Sequence, residues 1–64
     1  MAISLKAARV NAGLTQEQLA EKLGVSPVTI WKWEHGQSEP RFSQFKKLCE
    51  AVDIDMADIF IPTT

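Results

Sequence analysis

Thr15-Gln16-Glu17-Gln18-Leu19-Ala20-Glu21-Lys22-Leu23-Gly24-Val25-Ser26-Pro27-Val28-Thr29-Ile30-Trp31-Lys32-Trp33-Glu34-His35-Gly36 reads as two helices and the turn between them. Thr15 is placed to cap the first, and Gln18, three residues on, to reach back to it, the reciprocal pattern of a capping box. Leu19, Ala20 and Leu23 form its apolar stripe and Gly24 ends it. Ser26 is a good N-cap, and Pro27 follows at the first helical position, where its missing N–H costs nothing. This second helix is expected over residues 27–35, with Gly36 as its stop.

On either side of this pair the chain punctuates itself into further short helices. Leu5, Ala8, Arg9 and Ala12 share one helical face ahead of Gly13, giving a helix over residues 4–12. Gln37-Ser38-Glu39-Pro40 is a loop by composition. Phe42, Phe45, Leu48, Cys49 and Val52 then mark a helix over residues 42–52. Asp55 is positioned to cap a last short helix over residues 56–60, with Ile54 and Ile59 spaced as a hydrophobic staple across its start. No strand pattern, repeat or low-complexity stretch competes. The expectation is an all-α, compact five-helix fold in a single domain over residues 1–64.

Composition bounds what such a chain can be. It has 64 residues, 45% of them apolar and 23% charged, which is globular rather than disordered. A chain this short buries only roughly 60% of its unfolded surface, so there is little core in which to cut an enzyme pocket. No Ser/His/Asp, paired-carboxylate or glycine-rich phosphate motif is present, and no enzyme is expected. No apolar run approaches the ~18 residues of a membrane span, and the first residues lack the pattern of a signal peptide. One cysteine and one histidine provide neither a disulfide nor a structural zinc site. No metal or cofactor is expected, and the expected location is cytoplasmic.

Net charge is −1, which does not by itself suggest a polyanionic partner. Its distribution is more informative. Residues 1–48 hold all seven basic residues against Glu17, Glu21, Glu34 and Glu39, a net of +3. Residues 49–64 hold Glu50, Asp53, Asp55 and Asp58 and no base, a net of −4. Such asymmetry permits one face that attracts phosphates, although ordinary solvated charge gives the same count.

The helix expected over residues 27–35 is the most informative. At roughly 100° per residue, Ile30 and Trp33 fall on one side, bordered by Glu34, and Val28, Trp31, Lys32 and His35 on the other. Ile30 and Trp33 read as core. An outward indole beside a lysine has two readings: half-burial under a neighbouring element, or contact with a partner. Arg9 interrupts an apolar stripe, and Glu34 sits near a helix C-terminus where the dipole disfavours an anion. Each charge is misplaced alone; together they suggest a half-buried pair joining two helices. Cys49 reads as buried packing rather than a reactive thiol, and His35 as a capping or phosphate-facing residue.

The Gln-x-x-Leu-Ala element from Gln16, the four-residue turn and the Ile-x-x-Trp-Glu-x-Gly element from Ile30 together resemble the phage repressor and Cro (XRE) helix-turn-helix family. The resemblance runs on through Pro40 and Leu48-Cys49-Glu50-Ala51-Val52 to Asp58-Ile59-Phe60, nearly the whole chain. It implies a lambda-repressor-like DNA-binding domain with the helix-turn-helix motif at about 15–36. The helix that follows Ser26 then lies in the major groove as the recognition helix. By position, Pro27, Val28, Trp31 and Lys32 become base-reading residues. Gln16, Ser26, Thr29, Gln37 and Arg41 become DNA-backbone contacts, and Arg9 and Glu34 match the family's interhelical ion pair.

The chain also departs from the pattern. Pro27 and Val28 replace side chains that make bidentate hydrogen bonds to bases in many relatives, which leaves them apolar contact with a thymine methyl and leaves Lys32 as donor to guanine O6/N7. Trp31 stands where a small or polar residue is usual, and Asp53 where a glycine commonly ends a helix. The resemblance implies a sequence-specific double-stranded DNA-binding transcriptional repressor, a homodimer at least on a palindromic operator, with no small-molecule ligand. The alternative is a helix-turn-helix scaffold used for protein contact, such as an antitoxin, with Trp31, Val28 and Ile59-Phe60-Ile61 as its interface.

Overall fold

The computed structural model describes residues 2–62. The expected domain limits of 1 and 64 therefore lie outside the described residues. The order is β1 (Ile3–Ser4), α1 (Leu5–Asn11), α2 (Gln16–Leu23), α3 (Pro27–Glu34), α4 (Phe42–Val52), one 3-10 turn (Met56–Asp58) and β2 (Ile59–Phe60). The fold is mostly helical and measures 28 × 26 × 20 Å.

The helix ends obey their local chemistry. Thr15 Oγ1 accepts from the Gln18 amide at 3.0 Å, and the Gln18 side-chain oxygen accepts from the Thr15 amide at 2.9 Å, so the capping box is complete. Gly24 ends α2 in the left-handed region at φ 72°. Ser4 caps α1 by accepting from the Ala7 amide at 3.1 Å. Ser26 does the same for α3, accepting from Thr29 at 3.3 Å with Pro27 directly behind it. At α4 the capping side chain comes from inside the helix: Gln44 Oε1 accepts from the Arg41 amide at 2.8 Å.

One core gathers the inner faces of the helices: Leu5 and Ala8 from α1, Leu19, Ala20 and Leu23 from α2, Ile30 and Trp33 from α3, and Leu48, Cys49 and Val52 from α4. Ile59 of β2 closes it. The α2–α3 pair forms the most extensive helix–helix packing, and α4 backs α2. No helix among the described residues is long and apolar enough to cross a membrane.

Three expectations are corrected. The five-helix count is not met: among the described residues there are four α-helices, and the segment expected as a fifth helix over residues 56–60 is a three-residue 3-10 turn with an extended pair after it. Asp55 does cap that turn, accepting from the Ala57 amide at 3.1 Å. The helix stops because Ile59 turns extended (φ −117°, ψ 135°) to pair in parallel with Ile3, with Phe60 opposite Ser4. Hence the expectation of no strand also fails. Two residues per strand cannot display a period-2 pattern, and a parallel partner must sit across a long crossover. Here the crossover is the whole helical body.

The third correction concerns helix faces. Phe42 is 73% exposed although it lies in register with the buried stripe of α4. It is the first helical residue and does not pack against the core, whereas Phe45, one turn later, is half-buried against it. Ala12 is likewise exposed, because α1 ends at Asn11 and the chain turns away at Gly13.

Candidate nucleic-acid interface

The candidate site is built on α3, whose two sides are as different as the sequence implies. Its inner side is fixed by Ile30 and Trp33, 0% and 2% exposed, and by Glu34. Arg9 Nε donates to Glu34 Oε2 at 2.5 Å and Nη2 to Oε1 at 3.3 Å, while Nη1 donates to the Leu14 carbonyl at 2.8 Å. The Glu34 carboxylate is 1% exposed and the Arg9 side chain 10%. The expected interhelical pair is therefore present, and it ties α1, the α1–α2 loop and α3 together. A forked guanidinium–carboxylate pair at low exposure fixes orientation as well as proximity, which is what a helix presented to a partner requires.

Gln16 joins this network. Its Nε2 donates to Glu34 Oε1 at 3.1 Å, so the first residue of α2 is pinned to the last residue of α3. The pin holds the relative placement of the two motif helices from their far ends, while the turn around Gly24 holds them from the near ends.

The outer side of α3 carries Pro27, Val28, Trp31 and Lys32, all exposed, so the structure brings the four expected base-reading residues onto one face. Val28 is 60% exposed and Trp31 39%. Trp31 is thus partly covered while still presenting surface to solvent, and part of the cover comes from its own helix: the indole stacks on the imidazole of His35, ring centroids 4.1 Å apart and planes at 21°. The His35 ring Nδ1 lies 2.8 Å from the Trp31 carbonyl oxygen. A carbonyl only accepts, so Nδ1 is the donor in this contact. Sequence reasoning placed His35 at the helix end, where it is indeed the C-cap residue, and missed this stack. The i, i+4 spacing of an aromatic and a histidine is the signal that would have found it.

The remaining candidates lie at the two ends of α3 and at the start of α4. Ser26 and Thr29 sit at the start of α3 with their hydroxyl oxygens 3.0 Å apart. Gln37 comes just after the helix, exposed, its amide donating to the Lys32 carbonyl at 2.9 Å. Arg41 is exposed at the entry to α4 and stands apart from the α3 cluster in sequence and element.

Comparison with known proteins agrees with this architecture. A family model described as Helix-turn-helix matches residues 5–59. The chain is 42% identical over 57 residues to the uncharacterized HTH-type transcriptional regulator MJ0272 of Methanocaldococcus jannaschii, covering 89% of this chain and 86% of that protein. It is 36% identical over 55 residues to the HTH-type transcriptional activator BcrR of Enterococcus faecalis, covering 86% of this chain but only 27% of that longer protein. Among solved structures it is similar to the clp gene regulator ClgR from C. glutamicum, with a TM-score of 0.79 and 31% identity over 84% of this chain and 69% of that one. The matched region takes in all four α-helices, with the capped pair α2–α3 at its centre. On these grounds the chain belongs to the XRE-type helix-turn-helix family of DNA-binding transcription regulators.

Proposed function

We propose that this chain binds double-stranded DNA sequence-specifically as a transcriptional repressor, with α3 in the major groove. The observation that carries this reading is the division of α3: its inner side is locked to α1 and α2 through Glu34, and its outer side presents Val28, Trp31 and Lys32 to solvent. A helix with its side chains is about 10–12 Å across, which matches a major groove about 12 Å wide. Pro27, Val28, Trp31 and Lys32 face the base edges, and Lys32 is the donor suited to guanine O6 and N7.

Ser26, Thr29, Gln37 and Arg41 hold phosphates on either side. Gln16 joins them, because an amide nitrogen has two hydrogens and only one is spent on Glu34. Two copies on a palindromic operator would place two α3 helices about one DNA turn apart. Repression is the simplest outcome, since occupying promoter DNA excludes other proteins without any further contact. Neither a cofactor nor a small-molecule ligand enters this scheme, and the setting is cytoplasmic.

Selection from a randomised duplex pool at two salt concentrations tests the reading. Enrichment of an inverted repeat, with affinity falling as salt rises, is the expected result. A single enriched half-site would keep the sequence-specific reading and remove the dimer. No enrichment and no salt dependence would overturn it in favour of a protein-docking module of the antitoxin kind, the reading to which exposed Phe42 and Phe60 would then contribute.

A further inference from the structure

We infer that the outer face of α3 recognises the 5-methyl group of a pyrimidine, and that it accepts 5-methylcytosine as well as thymine. The inference rests on the DNA reading above and adds the chemical class that the face selects. Three observations carry it. Val28 and Trp31, i and i+3 on α3, are both exposed, so a branched aliphatic and an indole form one continuous apolar surface on a helix otherwise anchored by its opposite side. Neither side chain offers an acceptor and Val28 offers no donor, so Val28 cannot read the hydrogen-bonding edge of a base, and Trp31 has only its indole N–H with which to do so. The methyl carbon of a 5-methylpyrimidine is the apolar group that the major groove displays.

The third observation is that the plate is held in place. His35 stacks against the Trp31 ring at 4.1 Å and is itself fixed to the Trp31 carbonyl through Nδ1. An exposed tryptophan would otherwise lose rotamer freedom on meeting DNA, and a ring already immobilised loses less. His35 is thus a positioning residue: it need not touch a base to influence which base is preferred. Cytosine methylated at C5 presents its methyl in the same groove, at the same ring carbon, as thymine does. A surface that reads only that methyl rewards both.

The test uses the duplex enriched by the selection described above. Each thymine is replaced in turn by deoxyuridine, and each cytosine placed at a sensitive position is compared with 5-methylcytosine. Removing a buried methyl is expected to weaken binding roughly fourfold at one or two positions per half-site, and methylating cytosine there to strengthen it by a similar factor. Val28→Ala and Trp31→Ala should shrink the thymine-to-uracil ratio toward one. His35→Ala should shrink it partly, and His35→Phe, which keeps a stacking ring, should restore it. That ratio does not respond to a loss of folded protein, because both duplexes meet the same sample. Circular dichroism of each variant checks the fold independently. If a sequence enriches but uracil and thymine bind alike at every position, the methyl inference fails while the DNA reading stands. If no sequence enriches, both fail together.

Discussion

The α2–turn–α3 unit and the α4-to-β2 segment solve the same local problems with different quality. In the first, each helix begins on a hydroxyl that accepts from the third helical residue, and α2 ends on a glycine in the left-handed region. In the second, α4 begins at Arg41, whose side chain has no acceptor, so the helix borrows Gln44. It ends at Asp53, left-handed at φ 57°, the single non-glycine residue with positive φ among the described residues. Its first aromatic, Phe42, is exposed, and the chain beyond it forms a 3-10 turn instead of another helix. The motif helices are determined by short-range chemistry, whereas the C-terminal segment is held in shape by the surface it packs on. Charge divides at a different point, inside α4: Arg41, Lys46 and Lys47 belong to the second region, and only carboxylates follow residue 48.

The comparison is most strongly tested at the pin that holds the motif. Arg9→Ala would leave the Glu34 carboxylate, 1% exposed, without its cation, at a cost of about 3–5 kcal/mol. Urea unfolding measures it. A loss below about 1 kcal/mol would mean that Gln16 alone satisfies Glu34.

Lys32→Ala should leave the fold unchanged and cost about 1–3 kcal/mol in DNA binding, with discrimination relaxed at one base pair. Equal losses on every sequence would make Lys32 a phosphate contact instead. The caps come next. Ser26→Ala should lose about 1 kcal/mol of stability, and Arg41→Ser should gain up to about as much, because only the second site lacks a capping oxygen. Equal losses at both would erase the distinction between the two segments.

Helix C-termini give a smaller, opposed pair. Gly24→Ala should destabilise by about 1 kcal/mol through backbone strain alone, since a Cβ there meets nothing within 4 Å. Asp53→Gly should stabilise by about 0.5 kcal/mol by removing strain of the same kind. Thermal melts of the two variants should move in opposite directions.

The smallest effect is a pH dependence. Burial, and then the nearby Asp55 carboxylate, push the Cys49 thiol above its ordinary value of 9.0. The folded chain therefore holds that proton more tightly than the unfolded chain. Its contribution to stability is full below about pH 9.0 and is lost as pH rises through the folded value. Urea unfolding between neutral and alkaline pH should show a slope that Cys49→Ala removes.

The legibility of the sequence divides along the same line. Thr15, Gln18, Ser26 and Pro27 act within four residues, so their roles could be read without knowing the fold, and the placement of Ile30 and Trp33 inward came from period alone. Arg9 and Glu34 were legible as a pair because each was misplaced on its own helix. Phe42 was misread because helical period says which side a residue faces, but not whether a neighbour extends far enough to cover it. Ile3 and Ile59 gave no strand signal, since two residues establish no alternation and their pairing joins opposite ends of the chain. The Gln16–Glu34 bond and the Trp31–His35 stack were also unread: side-chain partners depend on distances that spacing only permits.

The sequence by itself determined where the four helices lie, how the motif pair is capped, and which side of α3 is anchored, because each of these is encoded by residues within a turn or two of one another. Only the tertiary structure decided that Phe42 is bare, that the last segment pairs as a strand with the first, and that Trp31 is held flat by His35. Those outcomes depend on what the rest of the chain brings alongside, and on the distances at which it does so.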